Sequence, residues 1–443
     1  MKNLFKHFVV FILEAEARAV LRKYKPKIIA ITGSVGKTTT KDAIYSVLNE
    51  KFFVRQNIKS FNSTIGLPLT ILDLPNAWSN PVAWCRNFFD GLLRVIFHED
   101  YPEWLILEVG ADVPGGIEKT VRWLKPDITV MTKMSAAPVH VEFFGTPAAI
   151  LHEKSHLARA LKPTGTLILN ADDEQTRDFP ALAPAAARKM SYGLTSVAAG
   201  NGAADVRASN YEITYDEAGK PTGISYTLTH GTDSATVKLA GVIGLQQVYT
   251  TLAAATVGVA LGMSVADIAH ALAGHELTPG RMRLLAGVRG SLIIDDSYNS
   301  SPVAAHEALD ALAAIRFPAA GTGRKIAVLG DMLELGDLSS REHRLVGEHA
   351  AKAGLDMLVT VGVRSRTTAD EARSAGLSAE QVRSFDDSVA AGEFLARELV
   401  AGDIVLVKGS QGVRVEKAVA MILADPSSAK SVLARQDEAW QSR

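Results

Sequence analysis

A short apolar run, Lys27-Ile-Ile-Ala-Ile-Thr32, passes directly into Gly33-Ser-Val-Gly-Lys-Thr38 and then into a stretch of helical character through Leu48. A run this short and apolar predicts a buried strand, and the glycines behind it mark a turn before the helix. Strand, glycine turn and helix commit this part of the chain to an α/β layer architecture. Within the turn, Gly33 and Gly36 let backbone N–H groups approach phosphate oxygens without a Cβ in the way. Lys37 can reach β- and γ-phosphates and Thr38 can hold Mg²⁺. The general form of such a loop has a further glycine five positions before Gly36, where this chain carries Ile31, so the loop is a shortened variant. A chance Gly-Lys-Thr in a turn is the alternative.

Further short apolar runs repeat the alternation. Trp104–Glu108, Asp127–Met131 and Thr166–Asn170 are separated by helical stretches, as in a parallel α/β sheet. From Val206 to Leu239 the pattern changes to alternating Thr, Tyr, Ile and Val around a Gly/Pro turn, which predicts an antiparallel β appendage. The stretch Ala183 to Ala204, rich in Ala and Gly, is expected to be a loop. A helical run, about Gln247 to Leu261, leads to Pro279-Gly280, taken as a boundary. Beyond it Ser291–Asp295, Lys325–Leu329, Met357–Val361 and Asp403–Val407 alternate with helices again. The expected fold class is α/β: a P-loop central domain (27–279) with a parallel sheet and an antiparallel appendage, then a Rossmann-like α/β C-terminal domain (280–443). Residues 1–26 form an amphipathic helix, about Leu4 to Lys23.

Composition narrows the function classes. The 443 residues carry 47 Lys+Arg against 48 Asp+Glu, a net charge of −1, so no basic excess points to nucleic acid. The single cysteine, Cys85, cannot form an internal disulfide, which makes the cytosol the default compartment, and it is expected to be a small buried apolar residue. Phe8–Leu13 is the only membrane-like stretch and is far below the roughly 20 residues a bilayer span needs. No stable membrane insertion is expected. The N-terminal helix should pack on the protein, or on a protein partner or second copy, with weak membrane-surface contact as the lesser alternative.

The loop Thr32-Gly-Ser-Val-Gly-Lys-Thr-Thr39 resembles the phosphate loop of the Mur ligase family. Phe61-Asn-Ser-Thr-Ile-Gly-Leu-Pro68, Leu107-Glu-Val-Gly-Ala111, Pro279-Gly-Arg-Met282, Asp295-Asp-Ser-Tyr-Asn299, Gly330-Asp-Met-Leu-Glu-Leu-Gly336 and Lys408-Gly-Ser410 are similar, in order, to segments of its MurF branch. That branch adds D-alanyl-D-alanine to a muramyl peptide. The resemblance runs from about residue 27 to the end and implies an ATP-dependent amide ligase of peptidoglycan synthesis acting through an acyl phosphate.

It also implies a site. Gly33, Ser34, Val35, Gly36, Lys37, Thr38 and Thr39 would cradle the phosphates of ATP. One Mg²⁺ would lie on Thr38 and Glu108, the latter at the carboxyl end of a strand where open α/β sheets bind ligands. A second Mg²⁺ would take His140, from Ser135-Ala-Ala-Pro-Val-His140, and Lys154, converted by CO₂ to a carbamate; His156 stands where the family has an acidic residue. Carbamate formation needs a neutral amine, hence a depressed lysine pKa. Arg281, at the hinge, would clamp the γ-phosphate or the acyl phosphate. Asp296, in preference to Asp295, would meet the ribose or the other domain, and a helix-capping role for the pair is the alternative. Gln247 stands where the family reads the adenine edge. Lys408 and Ser410 would receive the acceptor carboxylate, with Gln411 in place of the family's arginine and Arg414 close by, and Asn62 would contact substrate.

Typical relatives of the MurF branch carry a whole domain before the phosphate loop that helps bind the UDP-linked donor, whereas about 26 residues precede it in this sequence. The donor would then be held by other surfaces or by a partner, or be a different carboxylate. Two rivals stay open: a folylpolyglutamate-synthase-like or other amide ligase, whose loop reads Gly-Lys-Gly-Ser rather than Gly36-Lys-Thr-Thr39, and a P-loop regulatory ATPase.

Overall fold

The computed structural model describes residues 2–57, 62–78, 80–194, 204–317, 323–437 and 440. Phe61 and residues 195–203 of the expected Ala183–Ala204 loop lie outside them. The larger sheet has nine strands: β1 (Lys27–Thr32), β2 (Val54–Gln56), β3 (Trp104–Glu108), β4 (Ile128–Met131), β5 (Thr166–Asn170), β6 (Arg188–Leu194), β7 (Val206–Tyr215), β8 (Pro221–His230) and β9 (Asp233–Ala240). Their order is β2-β3-β1-β4-β5-β6-β7-β8-β9. Pairing is parallel as far as β7 and antiparallel through β8 and β9, the expected appendage.

The second sheet contains β10 (Arg283–Ala286), β11 (Leu292–Asp296), β12 (Lys325–Gly330), β13 (Met357–Val361), β14 (Val382–Phe385) and β15 (Ile404–Lys408), in the order β10-β11-β15-β12-β13-β14. Only β10 runs antiparallel, as an edge strand. The central strands are buried on both faces, which explains why they read as continuous apolar runs rather than as alternating ones.

The Ala/Gly-rich stretch after Ala183 is not all loop. Arg188–Leu194 is strand β6, with Met190 and Tyr192 buried and Lys189 exposed. Its alternation is short and surrounded by alanines, so composition masked a period-two signal that pairing with β5 makes decisive.

Four helices of the N-terminal region are α1 (Lys2–Tyr24), α2 (Lys37–Leu48), α3 (Gly66–Leu72) and α4 (Pro81–Ile96). Helix α1 buries Val9, Leu13, Ala17 and Val20, at spacings of three and four, in one core with Leu67, Leu69 and Ile71 of α3 and Trp84 of α4. Lys23 Nζ donates to the carbonyls of Arg94, Val95 and Phe97, which closes the open C-terminal end of α4, and Tyr24 stacks on Tyr101 at 4.5 Å. The helix is thus built into the protein. Cys85 is exposed on α4, against the expectation of burial, because the buried line of that helix runs through Trp84, Asn87 and Gly91. Among the described residues no helix is long and apolar enough to cross a membrane.

Candidate active site

The site forms where the carboxyl ends of the strands meet. Register pairs Ile31 with Glu108 and Thr32 with Met131, so the phosphate-loop turn, the Glu108 carboxylate and the segment after β4 converge at one edge of the larger sheet. Two glycines are demanded by the packing. A Cβ at Gly33 would stand 1.9 Å from Thr132 Oγ1, and Gly36 has φ +83° with Thr250 against it. Thr132 Oγ1 donates to the Val35 carbonyl at 2.8 Å, and Ser34 and Val35 donate their N–H groups to the Lys133 carbonyl. These bonds hold the turn between β1 and α2.

Lys37 Nζ donates to the Gly33 carbonyl at 3.0 Å. Burial lowers its pKa, Glu108 and Asp112 pull the other way, and Arg281 adds to the depression. Thr38 Oγ1 donates to Glu108 Oε2 at 2.8 Å, Asn62 Nδ2 donates to Glu108 Oε1 at 2.9 Å, and the Glu108 N–H donates to Asn57 Oδ1 at 2.7 Å. A buried carboxylate beside a threonine hydroxyl is a hard-oxygen donor pair, which suits Mg²⁺. Among the described residues no group of three or more His, Cys, Asp or Glu side chains could hold a metal by itself. The donor set therefore fits an ion that also takes ligands from phosphate.

Lys154, on the helix Pro147–Arg159, is buried and donates to Ser34 Oγ at 2.8 Å. Burial and then the neighbouring Lys37 push its amine well below the usual lysine range, against a weaker pull from Asp173. Its neighbour Glu153 accepts from the N–H groups of Gly115, Ile117 and Glu118, which pins this helix to the N-terminus of the helix Gly116–Val121. His140 has φ +73° and lies with Nδ1 2.6 Å from Glu334 Oε2 and Nε2 3.8 Å from Asp112 Oδ1. The contact with His140 lowers the Glu334 pKa.

The second lobe supplies the opposite wall. Gly280 has φ +73°, and a Cβ there would meet the Tyr298 backbone nitrogen at 2.9 Å. Asp295 accepts from the Gly280 and Ser297 N–H groups and fastens the turn at Gly280; burial raises its pKa to about 6. Arg281 stacks its guanidinium over Tyr298 at 4.1 Å and leaves a buried Nε without a hydrogen-bond partner, a donor suited to an anion.

A cavity of about 1220 Å³ joins the two lobes and is lined by Ser34, Val35, Gly36, Lys37, Thr38, Thr39, Asn62, Glu108, His140, Gln247, Arg281, Asp296 and Lys408. Gly33, Lys154 and Ser410 do not line it, and Lys154 reaches the loop through its bond to Ser34. Several groups have partners that the sequence does not disclose. Lys408 Nζ sits 2.5 Å from Asp296 Oδ2 and also donates to the Asn299 carbonyl, so the cation expected to receive an acceptor carboxylate is paired within the protein. Asp296 correspondingly faces Lys408, and burial raises its pKa against that pull. Gln247 Nε2 donates to the Arg281 carbonyl at 3.0 Å and ties the hinge rather than standing free. Ser410 Oγ donates to the Ser300 carbonyl and accepts from the Leu333 N–H. Arg414 lies 2.5 Å from Glu416 and donates to the Trp440 carbonyl, so it does not replace the arginine absent at Gln411.

Sequence reasoning missed Asp112, Glu307, Glu334 and Trp440, all on the cavity wall. Asp112 directly follows the Leu107–Ala111 segment and Glu334 lies inside Gly330–Gly336, so both had a signal beside a motif already singled out. Glu307 had none; it bonds Lys133 Nζ at 2.6 Å across the lobes.

A glycine turn on a parallel sheet, a threonine–carboxylate pair and cations facing them across a hinge define a nucleotide-binding α/β protein with a two-lobed site. Comparison with known proteins agrees in detail. Residues 31–84 and 90–258 match the Mur ligase middle domain, and residues 280–411 match the Mur ligase, glutamate ligase domain. The UDP-N-acetylmuramoyl-tripeptide--D-alanyl-D-alanine ligase of Mycobacterium leprae (strain TN) is 32% identical over 398 residues, covering 87% of this chain and 71% of that protein. The enzyme of the same name from Bacillus subtilis (strain 168) is 27% identical over 416 residues, covering 94% and 80%. The crystal structure of MurF ligase from Thermotoga maritima in complex with ADP superposes with a TM-score of 0.73 at 27% identity, covering 93% of this chain and 83% of that one. The chain belongs to the Mur ligase family.

Proposed function

We propose that this protein is an ATP-dependent ligase of the MurF kind, which joins D-alanyl-D-alanine to a UDP-linked muramyl tripeptide in peptidoglycan synthesis. The observation that carries the reading is that the phosphate loop, buried Glu108 and Arg281 line one cavity from two lobes. The relatives named above supply the substrate class. In the ligase reading the second lobe has a defined task, since it carries Arg281, Asp296 and Lys408 into the nucleotide cavity.

The chemistry runs in two transfers. A donor carboxylate oxygen attacks the γ-phosphorus of ATP, ADP leaves, and an acyl phosphate forms. The acceptor amine then attacks the acyl carbon, a tetrahedral intermediate collapses with loss of inorganic phosphate, and the nitrogen gives up a proton. Both steps concentrate negative charge on phosphoryl or carbonyl oxygens, so preorganised cations are what the protein must provide.

Lys37 and the N–H groups of the 33–39 turn bind the phosphates, and Arg281 closes on them from the other lobe. Thr38 and Glu108 would hold one Mg²⁺, and His140 with carbamylated Lys154 a second; when bound, these ions neutralise phosphate charge as Lewis acids. Carbamylation proceeds by attack of the neutral Lys154 nitrogen on the carbon of CO₂ with loss of one proton, and the buried, depressed amine favours it. Asn62 fixes Glu108 and borders the substrate space. Lys408 meets the acceptor carboxylate by exchanging it for Asp296.

Lobes 27–279 and 280–443 swing about Gly280 to exclude water from the acyl phosphate. A reaction that consumes ATP fits a cytoplasmic location. The test is to incubate the protein with ATP, D-alanyl-D-alanine and UDP-muramyl tripeptide and weigh the products. The expected result is a pentapeptide product, with phosphate released only when donor and amine are both present. Phosphate release that needs neither would identify a regulatory ATPase, and ligation of glutamate to a folate in its place would identify the other ligase.

A further inference from the structure

Outside the cleft, the outward faces of α1 and α4 leave apolar surface uncovered on a scale that scattered surface residues do not reach. Phe11 is 73% exposed, Val82 78%, Phe89 60% and Ile96 60%, with Phe8 and Leu92 between them. On α4 these positions recur at intervals of three, four and seven, so they form one stripe along the helix. Helix α1 lies beside it, as the edge-on contact of Phe8 with Phe88 at 6.3 Å and the Lys23 bonds to the end of α4 show. Large contiguous apolar surfaces on folded proteins mark docking sites.

Charge selects the occupant. The two helices carry seven Lys and Arg against three Asp and Glu, a net of +4, although the whole chain carries −1. Arg94 is paired with Asp73 and Glu99, Arg18 with Glu14, and Arg86, its side chain 83% exposed, with Asp90, while Lys6 and Arg22 are further exposed cations of α1. A second copy docking face to face would bring two basic plates together, which opposes association. Exposed phenylalanines on helices of net positive charge are instead the composition of helices that lie in a membrane interface and favour anionic lipid.

We propose that the α1–α4 plate is a peripheral docking surface for an anionic phospholipid bilayer. Binding is reversible and needs no spanning segment. Trp78, on the cavity wall, stands three residues before the start of α4, so docking holds the cleft mouth close to the bilayer. The inference does not depend on the ligase reading, since it concerns residues outside the cleft.

The test is co-sedimentation of the full chain with vesicles of phosphatidylcholine alone and of phosphatidylcholine with phosphatidylglycerol in equal amounts, at low and high salt. The wild-type protein should pellet with the anionic vesicles and be released by salt. The double variant Phe11→Ser/Phe89→Ser should bind at least roughly tenfold more weakly, and Lys6→Glu/Arg86→Glu should lose the preference for anionic lipid. Both variants should keep the wild-type melting temperature and solution activity. Wild-type protein that stays in the supernatant with both vesicles would overturn the proposal, as would equal binding by the serine variant. A dimer in sedimentation equilibrium that the serine variant abolishes, without vesicle binding, would assign the plate to a second copy instead.

Discussion

Replacing Lys154 by Met separates the chemistry of the buried amine from its packing. A free lysine with a pKa of about 10.4 is neutral in only about one molecule in 2,500 at pH 7, and each unit of depression raises that fraction tenfold. Lys154 is depressed by burial and by Lys37, and Asp173 is the carboxylate that opposes the shift. The same depression costs stability. Between the folded and the unfolded pKa the unfolded chain binds the proton more readily, so stability rises with pH through that interval and the charged amine weakens the fold below it. Lys154→Met keeps the stem of the side chain and removes this cost, so the variant should melt higher than the wild type at pH 7 in CO₂-free buffer. Its ligation rate should fall about 10²–10³-fold, the usual loss when one preorganised charge-stabilising group is removed. Lys154→Ala should lose as much and recover in part with added formate or acetate, which place a carboxylate in the vacated space. Phosphate release with both substrates gives the rate, and carbon-13 NMR of the folded protein in labelled bicarbonate should show a carbamate carbonyl on the wild type alone. Full activity in the methionine variant would refute the carbamate; a melting temperature below wild type would refute the electrostatic account.

Three other perturbations probe separate parts of the structure. Lys37→Ala removes a charged contact of about 1.5–3 kcal/mol and should weaken ATP about 10–100-fold by calorimetry, and unchanged affinity would overturn the loop assignment. Gly33→Ala places a Cβ 1.9 Å from Thr132 Oγ1, so urea unfolding should show a loss of about 1–3 kcal/mol, partly restored by Thr132→Ala; an unaltered midpoint would show that the turn relaxes freely. Asp295 rises from 3.8 to about 6 on folding, so its contribution is complete below 3.8 and is lost as pH climbs towards 6, roughly 3 kcal/mol in all. Asp295→Asn should flatten that slope in unfolding curves taken across the interval, and an unchanged slope would assign it to other groups.

The parts of the molecule legible in sequence are those whose cause is local. β1, β3, β13 and the turn at Pro279-Gly280 are set by runs of apolar residues and by glycines at φ +83° and +73°, and both signals lie within a few residues of the element they specify. β2, β10 and β14 were missed because strands this short that lack the continuous buried run of β4 owe their existence to the neighbour they pair with. The site divides along the same line. Lys37, Thr38 and Glu108 meet because β1 and β3 are adjacent and in register, which an α/β pattern already implies. Lys408 and Asp296 meet because β15 inserts between β11 and β12, a sheet order that no local spacing encodes. That insertion changes the chemistry as well as the geometry: a lysine that looks like a free receptor for a carboxylate is neutralised by its own strand neighbour. Under the proposed function an acceptor carboxylate would therefore have to outcompete Asp296 rather than fill an empty site. Asp296→Asn should on this account strengthen acceptor binding, as a lower KM for the acceptor with the ATP dependence unchanged, and a higher acceptor KM would show that the pair positions Lys408 instead of occupying it.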